Sequence, residues 1–92
     1  MWQKYQTFIT IADHQSFAKA ATILNISNAS ATRHIHELEA HYNTRFFIRT
    51  TRHVSLTDSG ESFYYFVKRM QENHSELEDE LGAKKKEVSG NI

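Results

Sequence analysis

Four residues near the middle of the chain, Asn28, Ala29, Thr32 and Arg33, have the chemistry needed to read the edge of a nucleic-acid base. An asparagine amide can pair with both N6 and N7 of adenine. An alanine or threonine methyl can touch the thymine methyl, and an arginine fork can take O6 and N7 of guanine or grip a phosphate. On an α-helix these positions and His36 project opposite an apolar stripe of Ala31, Ile35, Leu38 and Tyr42, spaced by 4, 3 and 4. They begin in the first turn, which is the part of a helix that meets bases when it enters a B-DNA major groove. A second set, Ser16, Ser27, Ser30, His36, Arg49 and His53, offers donors suited to phosphate oxygens, and helix starts attract the same anions. Ser16 and Ser27 are equally explained as helix caps. Arg49 is equally suited to phosphate and to the carboxylates of Glu37 or Glu39, whereas Arg52 could enter a narrow minor groove, where negative potential is enhanced.

Other chemistries find little support. The chain has no cysteine, which removes disulfides, thiolate zinc sites and cysteine nucleophiles and suits a reducing cytoplasm. His34 and His36 lie two apart, and no His-x-x-x-His or His-x-x-Glu-His spacing occurs, so the six histidines are expected at the surface rather than on a metal. There is no Gly-rich phosphate loop and no nucleophile motif, so neither a cofactor nor an enzymatic activity is expected. No apolar run approaches the roughly 18 residues that span a membrane, and MWQKYQTFIT lacks a signal-peptide pattern.

The elements that would position these residues follow from apolar periodicity. Trp2, Tyr5, Phe8, Ile9 and Ala12 form one stripe of a first helix, interrupted at His14 and Gln15. Ser16 caps a second, short helix with Phe17, Ala20, Ala21 and Leu24 on one side, where the alanines admit close helix approach, and Asn25 can end it in a left-handed conformation. Ser27 caps the third. Two helices joined through about three residues make a helix-turn-helix. After Asn43 the period shortens: Phe46-Phe47-Ile48 and Val54-Ser55-Leu56 predict a small hairpin, or wing, around Arg49-Thr50-Thr51-Arg52-His53. Thr57 caps a last helix, with Asp58 in its first turn and Gly60 marking close packing against another element. From there Phe63, Val67, Met70, His74, Leu77 and Leu81 alternate by 4 and 3, a heptad seam about 27 Å long. Its length exceeds what the preceding unit could cover, which predicts pairing with a second chain rather than folding back. A neutral His74 in such a seam would make the interface pH-sensitive. Gly82 is expected to end the helix, and AKKKEVSGNI to be an exposed connector.

Ninety-two residues, 39% of them apolar, make a single small domain without room for a large active-site cavity. Eleven basic and eleven acidic residues cancel, which by itself argues against a nucleic-acid binder. The halves differ, however. Residues 1–57 carry six basic and three acidic side chains (+3), and residues 58–92 carry five and eight (−3). A winged helix used for protein interaction fits the zero total better, and a steep salt dependence of binding would separate the two readings.

Phe8 with Ile11-Ala12, Ser16-Phe17 with Ala20-Ala21 and Leu24, Ser27, Thr32-Arg33, Ile35, Leu38-Glu39, Phe47 with Arg49-Thr50-Thr51-Arg52, and Leu56-Thr57 with Gly60 form an ordered set. Together they resemble the DNA-binding domain of LysR-type transcriptional regulators over nearly the whole chain. The resemblance implies a mainly α fold: a winged helix-turn-helix of three helices and a β-hairpin over residues 1–57, a linker dimerisation helix over 58–82, and a connector over 83–92. It implies sequence-specific binding of double-stranded DNA by a cytoplasmic, bacterial homodimer on an inverted repeat, with Asn28, Ala29, Thr32 and Arg33 facing the bases. Where that family commonly shows Gln-Pro this chain has Asn28-Ala29, which changes the reach of the base contact. Ser89-Gly90-Asn91-Ile92 looks like the junction to an effector-binding domain. The chain is therefore expected to be an amino-terminal fragment, meeting a small-molecule effector only through the missing carboxy-terminal domain, with a tetramer open to the full-length protein.

Overall fold

A computed structural model describes the backbone of residues 1–90 and the side-chain surroundings of residues 1–82. Helix α1 (Trp2–His14) buries Phe8 and Ile11 completely, as its apolar stripe requires. It stops at Gln15, which turns left-handed at φ 53° and returns its N–H to the Ile11 carbonyl. Helix α2 (Phe17–Leu24) starts on Ser16, whose Oγ accepts the Lys19 N–H at 3.1 Å. Asn25 closes it at φ 58°, and the Ile26 N–H returns to the Ala21 carbonyl at 2.9 Å. Helix α3 (Asn28–Tyr42) follows on Ser27, whose Oγ accepts the Ser30 N–H at 3.0 Å. Ala20, Ala21 and Ala31 are all buried, so small side chains stand where these helices come together.

The third helix is locked from behind as well as from its ends. Asn43 ends it in the left-handed region, and the Glu39 carboxylate accepts the Phe46 N–H at 2.7 Å, tying α3 to the start of the wing. Strands β1 (Phe47–Arg49) and β2 (Val54–Leu56) pair antiparallel with Phe47 opposite Leu56 and Arg49 opposite Val54. The first strand thus begins one residue later than the run Phe46-Phe47-Ile48 suggests. Phe46 is withdrawn into the core instead, stacked on Phe63 at 4.3 Å with the rings 2° from parallel. Phe8 lies against Phe46, Phe47 and Phe63, so one aromatic cluster joins α1, the wing and the last helix.

Helix α4 (Asp58–Gly90) starts on Thr57, whose Oγ1 accepts the Gly60 N–H at 2.9 Å and donates to the Arg45 carbonyl at 2.7 Å. Gly60 passes so close to the wing that a Cβ there would stand 2.1 Å from the Phe46 carbonyl oxygen. Farther along, Asp13 of α1 accepts the Tyr64 hydroxyl at 2.6 Å and faces Lys68 at 3.6 Å. The bond given to this carboxylate pushes the Tyr64 phenol up to about 12. Gly82 does not end the helix. It takes no left-handed conformation, and the strong helix formers Ala83 to Glu87 follow it, so the backbone continues helical to Gly90. The helix end expected at Gly82 therefore moves to Gly90, within the stretch expected to be a connector; Asn91 and Ile92 of the expected junction lie outside the described residues. Thirty-three residues make α4 about 50 Å long, most of the 59 Å extent of the molecule. Among the described residues, no helix is long and apolar enough to cross a membrane.

The seam on α4 divides. Val67 is wholly buried, so it belongs to the chain's own core and is not available to a second chain, while Phe63 packs in the aromatic cluster and is partly buried there. Met70, Leu77 and Leu81 are exposed. His74, expected in the interface, stacks on Trp2 of α1 at 4.8 Å and holds Glu78 through Nδ1 at 2.9 Å. Tyr42, expected on the buried side of α3, is 41% exposed, its hydroxyl 2.7 Å from that of Tyr5.

Candidate nucleic-acid interface

Side chains at the start of α3 stand outward because Ala31, Ile35 and Leu38 hold the opposite face in the core. Asn28, Ala29, Arg33 and His36 are exposed and Thr32 is half-buried. With Glu37 and Ala40 they line a shallow, open groove along the helix. A second groove runs from the start of α2 across α3 to the wing, and it brings Ser16, Asn28, Thr32, Arg49, Arg52 and His53 to one surface. Residues far apart in sequence converge here because the tight turn at Asn25–Ser27 stacks two helix starts side by side and the hairpin folds over them. Gln15, Thr50 and Thr51 line the same groove. None of the three was expected there, since a glutamine at a helix end and two threonines at a hairpin tip carry no signal of their own.

The serines sort by what their protons do. Ser16 Oγ accepts the cap bond and keeps its own O–H to donate. Ser27 accepts the Ser30 N–H and gives its proton to Ser30 Oγ at 2.9 Å, so both of its roles are internal. Ser30 is the hydroxyl of that pair whose proton remains for an anion. Arg49 pairs with neither Glu37 nor Glu39. Its guanidinium lies over the Phe17 ring at 4.0 Å, while Glu39 takes Arg45 at 3.7 Å. That stacking orients a cation at the base of the wing without neutralising it. At the tip, Thr50 closes the loop: its N–H reaches the His53 carbonyl at 2.8 Å and its Oγ1 accepts the His53 N–H at 3.0 Å, leaving Arg52 exposed.

Two features, one behind this face and one on it, escape the sequence. His34 is buried at 7% exposure, not at the surface, with Nδ1 2.8 Å from the hydroxyl of the wholly buried Thr7. Thr7 Oγ1 also donates to the Gln3 carbonyl at 3.0 Å, an arrangement that suits a neutral His34 with its proton on Nδ1. Burial lowers the His34 pKa below its ordinary value, with the neighbouring Arg33 acting in the same direction. On the exposed side, Glu37 is held by Lys4 of α1 and lies 3.5 Å from Arg33 Nε. The Lys4 ammonium, with Arg33 beside it, keeps the Glu37 carboxyl below the usual carboxylate range.

Comparison with known proteins agrees with this arrangement. Residues 2–61 match the family model described as bacterial regulatory helix-turn-helix protein, lysR family. The chain is similar to the HTH-type transcriptional activator IlvY of Haemophilus influenzae, at 34% identity over 87 residues, 95% of this chain and 30% of that protein. It is similar also to the HTH-type transcriptional regulator DsdC of Escherichia coli, at 34% identity over 93 residues, 99% of this chain and 29% of that one. It thus spans about three-tenths of the length of these curated relatives. Among solved structures, the BenM DBD in its complex with catB site 1 DNA superposes with a TM-score of 0.87 at 25% identity, covering 90% of this chain and 92% of that one. The CbnR DBD in its DNA complex gives 0.85 at 28% identity, covering 90% and 95%.

Proposed function

Because the chain belongs to the lysR family of bacterial regulatory helix-turn-helix proteins, we propose that it is the part of a cytoplasmic transcriptional regulator that binds double-stranded DNA in a sequence-specific way. The single observation that carries the reading is the common surface of Ser16, Asn28, Thr32, Arg49, Arg52 and His53, drawn from two helix starts and a hairpin. In this proposal α3 enters the major groove. Asn28, Ala29, Thr32 and Arg33 meet base edges, Ser16, Ser30, His36, Arg49 and His53 meet phosphates, and Arg52 enters the minor groove. Ser27 acts as a cap. The DNA in the solved complexes of the BenM and CbnR DBDs supports double-stranded DNA as the partner. No catalytic step is proposed, the matched relatives being transcriptional regulators.

The exposed stripe of α4 supports a homodimer that presents two copies of α3 to an inverted repeat. A zero net charge makes local cations decisive, so the test is electrostatic. With DNA selected from a random pool, the affinity should fall steeply with salt, with a log–log slope of about −4 if some four or five phosphates are neutralised. Arg33→Ala should lower the preference for the selected sequence by about 1–3 kcal/mol, and Arg52→Ala should weaken binding to every sequence. Affinity that ignores salt and both substitutions would instead favour a protein-interaction module.

A further inference from the structure

Glu37 is the acidic side chain in a groove otherwise lined by Asn28, Thr32, Arg33, His36 and two alanines. A carboxylate on a face turned to phosphates opposes association, and a chain with no surplus positive charge has little to offset it. Yet this carboxylate is held ionised and in place. It lies one turn beyond Arg33, where side chains lean back toward the helix start, and it reaches Arg33 Nε at 3.5 Å while Lys4 grips it from α1. With Nε engaged, the guanidinium still presents the two terminal nitrogens at its outer end, the edge that pairs bidentately with O6 and N7 of guanine.

We propose that Glu37 is a specificity-determining positioning residue: braced by Lys4, it holds the Arg33 fork toward the base edges and away from phosphate, and it penalises backbone-only binding. The proposal rests on the reading of Arg33 as a base contact. In water an exposed pair of this kind is weak, so most of the effect arises on docking, when water leaves and both the attraction to Arg33 and the repulsion from phosphates strengthen. In a non-specific complex Arg33 would reach a phosphate by turning its fork away from the direction in which Glu37 holds it.

The test compares the chain, Glu37→Gln and Arg33→Ala on DNA selected from a random pool and on a scrambled duplex of equal length. For Glu37→Gln, affinity for the scrambled duplex should rise about threefold or more and its salt slope should steepen by about one, as one further cation reaches phosphate. Preference for the selected sequence should fall about tenfold, within the range of one bidentate contact. A merely structural role would move neither the slope nor the ratio. If Arg33→Ala relaxes the preference but Glu37→Gln leaves ratio and slope unchanged, or weakens both duplexes equally, the positioning role is wrong and the base contact stands. If Arg33→Ala also leaves the ratio unchanged, the base contact itself fails and the proposal with it.

Discussion

Thr7 and His34 are separated by 27 residues, and their hydrogen bond joins the first helix to the back of the third inside the core. A buried donor left without its acceptor costs about 1–3 kcal/mol, more than the bond itself contributes. Thr7→Val should therefore lower the unfolding free energy obtained from urea titration by an amount in that range, whereas Thr7→Val with His34→Leu should recover most of it, because both polar partners go together. The pH dependence follows from the direction of the His34 shift. Well above 6.5 the ring is neutral in both states. As the pH falls, the unfolded chain takes the proton first, because burial holds the folded ring's pKa lower. Stability should thus be full above about pH 7 and be lost as the pH drops below 6.5 toward the folded value. Urea titrations of His34→Leu between pH 8 and pH 5.5 should show a shallower loss than the parent chain; parallel losses would refute the role given to this ring.

At the scale of elements, what the sequence announces is local. Ser16, Ser27 and Thr57 each fill the cap position that their spacing predicts, and Asn25 takes the left-handed turn, because caps and turns depend on a few adjacent residues. The outward face of α3 is legible for the same reason: it is whatever the apolar stripe of that helix leaves outside. What stayed hidden depends on distant partners. Phe46 leaves its strand for the ring of Phe63, Arg49 finds Phe17 rather than a carboxylate, and Gly82 continues a helix that it had seemed to end. Gly60 lies between these cases, since its close contact was expected but not the carbonyl it meets. Gly60→Ala gains about 1 kcal/mol in helix propensity, yet its methyl would collide with backbone at 2.1 Å, which cannot yield as a side-chain tip can. We expect a net loss of about 2 kcal/mol or more and a Tm lower by about 10 °C, read by circular dichroism. An unchanged or higher Tm would mean that α4 and the wing do not meet this closely.

The whole molecule is a small body carrying a helix that extends well past it. On the extension, Phe66, Met70, Leu77 and Leu81 stand exposed on one side of α4. Phe66 was not part of the predicted seam, because the heptad pattern assigned that side of the turn to Val67, which the chain keeps for itself. The proposed dimer makes a direct prediction here: Leu77→Glu with Leu81→Glu should lower the sedimentation mass toward that of one chain and remove the concentration dependence of Tm, while the circular-dichroism spectrum of the folded chain stays helical. Joining two half-site contacts can raise affinity by about 10² to 10⁴, so the same pair should reduce binding to an inverted repeat toward that of a single half-site. A full-mass species with both substitutions would move the interface elsewhere. The body also carries its own optical label for this geometry. The chain has one tryptophan, Trp2, and its indole rests on His74 in the stretch where α4 leaves the core. Any event that swings the long helix, whether DNA capture or pairing of two chains, must slide or part those rings. The intrinsic emission of an unlabelled sample would then report such a movement directly, with no dye to perturb it.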